Sequence, residues 1–166
     1  MRHLNPLNLK DQSGMMLLEA LIAILIFSLG ILGMVAINAR AVEAATDSQA
    51  RAEAAKFTSE IASRIALAVN RSSEGSIAAS LAAFQHQPGG SACNFSGTAS
   101  GSAIVTDWKD AVLASGRAGL PGATASGLQI LVNTSATAFN RVTITVCWQP
   151  PGVATLRQHQ LVSYVN

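Results

Sequence analysis

No charged residue occurs between positions 20 and 39, and this run constrains the chain more than any other feature. A helix rises about 1.5 Å per residue, so roughly 20 residues cover about 30 Å, the thickness of a bilayer's hydrocarbon core. The stretch Ala20-Leu21-Ile22-Ala23-Ile24-Leu25-Ile26-Phe27 is apolar on every side, so no face is kept for water. So small a protein has no core large enough to bury such a helix. The pattern predicts a transmembrane helix over residues 15–39. Orientation does not follow from charge, because Arg2 and Lys10 before the span are matched by Arg40, Arg51 and Lys56 after it. Ala39-Arg40-Ala41 resembles a secretory cleavage site. Against that reading, the apolar run exceeds the usual signal-peptide core, and the approach through Asn5, Pro6, Asn8 and Gln12 is polar.

The 166 residues leave room for one modest domain after the span. Charged residues make up only 12% and the formal net charge is +2. No run of Lys or Arg occurs, so no nucleic-acid partner is expected. Cys93 and Cys147 both follow the span. If the C-terminal part is exported, both lie in an oxidising compartment, where an even count favours one disulfide. The loop closed would contribute roughly 4 kcal/mol in the chain-entropy model. The alternative is two buried free thiols.

The segment Ser13-Gly14-Met15-Met16-Leu17-Leu18-Glu19-Ala20-Leu21 joins a polar leader to the apolar run and sets one acid, Glu19, inside it. An ionisable group at a membrane edge is costly and usually has a partner. Cleavage after Gly14 would create an amine on Met15, about one helical turn from Glu19, and the two charges could neutralise each other. An acid favoured by the helix dipole or snorkelling to the surface fits the spacing equally well. This block resembles the class III signal of type IV prepilins, a family with a leader ending in Gly and Glu as fifth mature residue. Met15 departs from the usual Phe at the first mature position. The resemblance implies cleavage between Gly14 and Met15 by a prepilin peptidase, N-methylation of Met15, and a role for Glu19 in recruiting the subunit during assembly.

After the span, Ala50, Ala54, Phe57, Ile61, Ile65 and Ala68 recur at helical steps, with Glu53, Lys56, Glu60 and Arg64 on another face. The helix is expected to run from Met15 to about Asn70. Ser76 to Gln87 reads as a short helix with Ile77, Leu81 and Phe84 inward, stopped by Pro88-Gly89-Gly90. Asn94 to Ser102 reads as a surface loop. Asp107 is the expected N-cap of a helix ending near Gly116. Three strands follow, Leu128–Val132, Arg141–Trp148 and Leu156–Val165, with Val142, Ile144, Val146 and Trp148 on one face. Gln149-Pro150-Pro151-Gly152 is the turn between the last two.

The expected fold class is α+β: a long N-terminal helix packed on a C-terminal antiparallel sheet, the type IV pilin fold. The expected divisions are a leader over 1–14, a transmembrane helix over 15–39, its amphipathic continuation over 40–70 and a periplasmic domain over 71–166. Leu29-Gly30-Ile31-Leu32-Gly33, Asp107-Trp108 with Leu120-Pro121-Gly122, and Val142 to Trp148 resemble the PilV-type minor pilins more narrowly. That resemblance implies a minor pilin in the inner membrane and the type IV pilus. Its partners would be the prepilin peptidase, other minor pilins and the major pilin. A minor pseudopilin of a type II secretion system shares the N-terminal signal, and an exported adhesin-type domain is a third reading. No catalytic motif occurs, so neither an enzyme nor a cofactor is expected. His86 and His159 with the cysteines match no compact zinc spacing, and a helix cap explains Asp107 and Asp110 more simply than calcium.

Overall fold

The computed structural model of the protein describes residues 12–115 and 118–166. Two compact units meet in sequence at Ala45 and Thr46. A single helix, α1 (Gln12–Ala68), supplies most of the first unit and the first element of the second.

In the first unit every residue from 14 to 45 is exposed. Its most apolar window has a mean hydropathy of 2.8, and none of it is buried. The helix starts at Gln12, ahead of the expected Met15, and runs unbroken through Gly14. It is long and apolar enough for a single membrane span. A side chain added at Gly30 or Gly33 would meet open space, so nothing in the chain itself requires glycine there.

The second unit is built on residues 46–68. Ala50, Ala54, Phe57, Ile61, Ile65 and Val69 are buried in one core. The expected Ala68 is exposed and Val69 takes its place. Val69 follows the last helical residue, so helical spacing no longer sets which side chain turns into the core there. On the opposite face Arg64 Nη2 lies 2.7 Å from Glu60. This is an i,i+4 pair, worth only a few tenths of a kcal/mol at the surface.

Helix α2 (Glu74–Ala82) starts at Ser73, whose hydroxyl accepts the Ser76 N–H at 3.1 Å. Ile77, Leu81 and Phe84 are buried as expected, but the helix ends at Ala82 and Phe84 sits in the turn beyond it. The expected surface loop is instead part of a small hairpin, β1 (Gly89–Ser91) and β2 (Asn94–Ser96). Its turn holds Ala92 and Cys93 at φ +50 and +65. Gly90 has φ +79, and a Cβ there would lie 2.2 Å from the Asn94 carbonyl oxygen, so only glycine fits. Helix α3 (Ala103–Val112) starts after Ser102. Asp107 is therefore an exposed residue within the helix, not its N-cap. Val105, Trp108 and Val112 set the start, because their burial requires helix upstream of Asp107. Gly116, expected near the end, lies outside the described residues. Trp108 Nε1–H donates to the Phe57 carbonyl at 3.1 Å and ties α3 to α1.

Strands β3 (Leu128–Asn133), β4 (Arg141–Trp148) and β5 (Arg157–Tyr164) form an antiparallel sheet in that order. The expected last strand, 156–165, is one residue shorter at each end. Val142, Ile144, Val146 and Trp148 are buried in the core shared with α1. The fold is thus α+β, with residues 46–68 of α1 packed on an antiparallel sheet, consistent with a pilin-type fold. The turn before β5 places Gly152 at φ +78, as a type II turn requires after Pro151.

Candidate functional site

The first candidate site lies at the start of α1. Met15, Leu18, Glu19, Ile22, Ala23 and Ile26 line one shallow groove on the helix surface. Their spacing is three, one, three, one, three, the stripe that meets a neighbouring helix. Glu19 therefore lies within an apolar seam rather than on a polar face. Glu19 makes no ion pair among the described residues. The sequence picks out Gly14, Met15 and Glu19 singly. The structure adds Leu18, Ile22, Ala23 and Ile26, whose signal was their helical spacing from Glu19. Residues 1–11 of the expected leader lie outside the described residues.

Exposure of so many large side chains has an energetic meaning. Leu25, Ile26, Phe27 and Ile37 are all more than half exposed. Removing each such side chain from water contributes about 1.5–3 kcal/mol. Burial of these side chains in lipid or against other helices would therefore be favourable.

The second candidate site is the disulfide-tethered hairpin. Cys93 and Cys147 are bonded, with Cα atoms 5.8 Å apart, so both thiols are accounted for. The bond fixes β1–β2 over the sheet face opposite α1. Gln129 and Thr145 are buried beneath it, and Gln129 Nε2–H donates to the Gln87 carbonyl at 2.9 Å. His86 joins the segment to the sheet edge. Its N–H donates to Ile130 O, and Ile130 N–H donates back to His86 O, both at 3.0 Å.

The imidazole of His86 is buried. Its Nδ1 accepts the Ser100 N–H at 3.1 Å, so the ring proton is on Nε2. Nε2 is buried without a hydrogen-bond partner among the described residues. Burial, and then the charge of Lys109, hold the pKa of His86 below its ordinary 6.5. No sequence signal marked this histidine, because the ring is placed by long-range pairing with Ile130. No group of three or more His, Cys, Asp or Glu able to hold a metal occurs among the described residues. His86 and His159 are not drawn with the cysteines into one cluster.

Comparison with protein-family models, with curated proteins and with solved structures finds no match.

Proposed function

We infer that the protein is a minor subunit of a type IV pilus, made as a precursor and assembled through α1. The observation that carries this reading is Glu19 inside an uncovered apolar stripe that begins beside Gly14. A carboxylate in such a seam is poorly solvated and needs a cation to offset the cost. Cleavage between Gly14 and Met15 by a prepilin peptidase supplies one, the methylated amine of Met15. In a filament that amine belongs to the same subunit or to its neighbour. The second unit, with its helix on an antiparallel sheet, supports the same reading, as does the narrower resemblance to PilV-type minor pilins. The proposed partners are the prepilin peptidase, other minor pilins and the major pilin. The proposed location is the inner membrane and then the pilus, with residues 71–166 in the periplasm before assembly. No step of this function is catalytic.

Two measurements test it. Intact mass should place the mature start at Met15 with one added methyl group. A start at Val42 would establish ordinary signal-peptidase processing and end the filament reading. Glu19→Ala should leave the processed fraction unchanged, while incorporation into sheared pili falls at least ten-fold. Glu19→Asp should lie between, because the charge stays and its reach shortens. Normal incorporation of Glu19→Ala would reduce Glu19 to a surface acid at a helix start.

A further inference from the structure

The two edges of the three-stranded sheet are finished differently. The Val165 N–H donates to the Asn140 carbonyl at 3.2 Å, which fixes the hydrogen-bonding phase of the β4–β5 pair. Ser163, Leu161, His159 and Arg157 therefore point their backbone groups at β4. Gln158, Gln160, Val162 and Tyr164 point theirs away from it. On the β3 edge the same phase turns Ile130 outward, and there both backbone groups are taken by His86. On the β5 edge no backbone group of the outward residues has a hydrogen-bond partner among the described residues.

An open edge is normally blunted by proline, lysine, an inward charge, a bulge or a short strand. β5 pairs in full register over all eight of its residues and contains neither Pro nor Lys. Arg157 is an inward charge, but it is the first residue of the strand and is paired with Asp47, so the outward groups from Gln158 to Tyr164 are not blunted by it. The outward row is exposed and ends in Val162 and Tyr164, at 45% and 57% exposure. Both ends of the strand are fixed. Arg157 lies 3.5 Å from Asp47 of α1, and Arg71 Nε–H donates to the Asn166 carbonyl at 2.9 Å. An edge held in place costs little entropy when it pairs.

Charge says what would pair with it. The three strands carry Arg141 and Arg157 and no Asp or Glu, and Arg157 is already paired with Asp47. Arg141 is exposed, lies opposite Tyr164, and has no ion pair among the described residues. We propose that the β5 edge is a docking site for an extended, acidic peptide strand of another polypeptide, which adds a fourth strand to the sheet. Its backbone bonds to Gln158, Gln160, Val162 and Tyr164, and an acid at its end, two strand spacings (about 10 Å) from β4, reaches past Tyr164 toward the long side chain of Arg141. The β5 edge of a second copy carries no acid, so edge-to-edge self-pairing offers Arg141 no complementary charge.

The β5 edge belongs to the second unit, and the test uses the full chain in detergent micelles. The probe is the labelled peptide Glu-Val-Thr-Val-Thr-Val-Thr-Glu, blocked at both ends, read by fluorescence anisotropy. The same peptide with Lys at both ends is the comparison. The acidic peptide should bind, the basic one at least ten-fold more weakly, and Arg141→Gln should narrow that gap. Val162→Pro removes an outward N–H while leaving the β4 bonds in place, and should weaken binding at least ten-fold. Hydrogen exchange at Gln158, Gln160, Val162 and Tyr164 should slow when the acidic peptide is added. Glu19→Ala should bind the peptide normally, so failure of the pilus reading and failure of this one are distinguishable. Absence of binding, equal binding of both peptides, or indifference to Val162→Pro overturns the proposal. A concentration-dependent dimer that Val162→Pro abolishes would overturn it in favour of self-pairing.

Discussion

Helix α1 is one element with two kinds of surface. From residue 14 to 45 every position is exposed, although the side chains are among the most apolar in the chain. From 46 to 68 a stripe of apolar residues, Ala50, Ala54, Phe57, Ile61 and Ile65, is buried, and Leu67 is the large apolar side chain left exposed. Both stretches are rich in alanine and leave the helix unbroken, so propensity does not separate them. What separates them is where charge is permitted. Downstream, Glu53, Lys56, Glu60 and Arg64 define a wet face and leave a dry one for the sheet. Upstream, Glu19 is the only charge between Gly14 and Ala39, and it lies in the seam itself. A charge pattern therefore tells where a helix meets water, and its absence tells where the helix needs another solvent or another chain.

The sharpest way to break this comparison is to make the same kind of deletion in both stretches. Ile61 is fully buried and Ile24 is 64% exposed. Ile61→Ala should destabilise the second unit by about 2–5 kcal/mol, the range for a core truncation that leaves a cavity. Ile24→Ala should leave that stability unchanged. Urea unfolding of the full chain in micelles, followed by tryptophan fluorescence, reads both, since Trp108 and Trp148 are both in the core. Equal effects would mean that the two stretches do not differ as described.

Next in size is the disulfide, which acts only in the second unit. Removing Cys93–Cys147 should cost about 2–4 kcal/mol by releasing the unfolded chain. Cys93→Ala with Cys147→Ala should lower the urea midpoint, and should also expose Gln129 and Thr145 to faster hydrogen exchange. Helix exchange over residues 14–45 should not change. A smaller effect is expected from Trp108→Phe, which removes the bond to the Phe57 carbonyl but keeps most of the packing. About 0.5–1.5 kcal/mol is expected, since a helix carbonyl keeps its own amide partner.

Much of this was legible in the sequence, for reasons particular to each element. The long apolar helix followed from the absence of charge. β4 followed from strict alternation at Val142, Ile144, Val146 and Trp148, because one face is core. The stripe from Ala50 to Ile65 followed from helical spacing, and slipped only at its end, where Val69 replaces Ala68. The β1–β2 hairpin was not legible, because its turn uses Ala92 and Cys93 at positive φ, where a sequence reading looks for Asn or Gly. Asp107 misled because a cap residue lay ahead of an apolar run, whereas Ser102 precedes the helix without a side-chain cap bond. The open β5 edge depends on strand order and phase, which no local pattern states.

The smallest predicted effect is a pH dependence confined to the second unit, and His86 supplies it. Its folded pKa lies below 6.5, from burial first and Lys109 second. Below 6.5 the unfolded chain therefore binds a proton that the folded chain resists, and stability falls as pH drops. Above 6.5 both states are neutral at this site and its contribution is constant. The geometry adds a reason for a local response. A proton on Nδ1 would set a donor against the Ser100 N–H and break the 3.1 Å bond between them. That loosens the segment holding the β3 edge, so amides of Ser100 and Ile130 should exchange faster at about pH 5.5 than at about 7.5, after correction for intrinsic rates. His86→Gln keeps an acceptor without a titration in this range. It should flatten the pH dependence of the urea midpoint between those two values, even if its own stability is lower. Helix signals from residues 14–45 should stay constant throughout. A pH dependence that survives His86→Gln unchanged would assign the effect to another group.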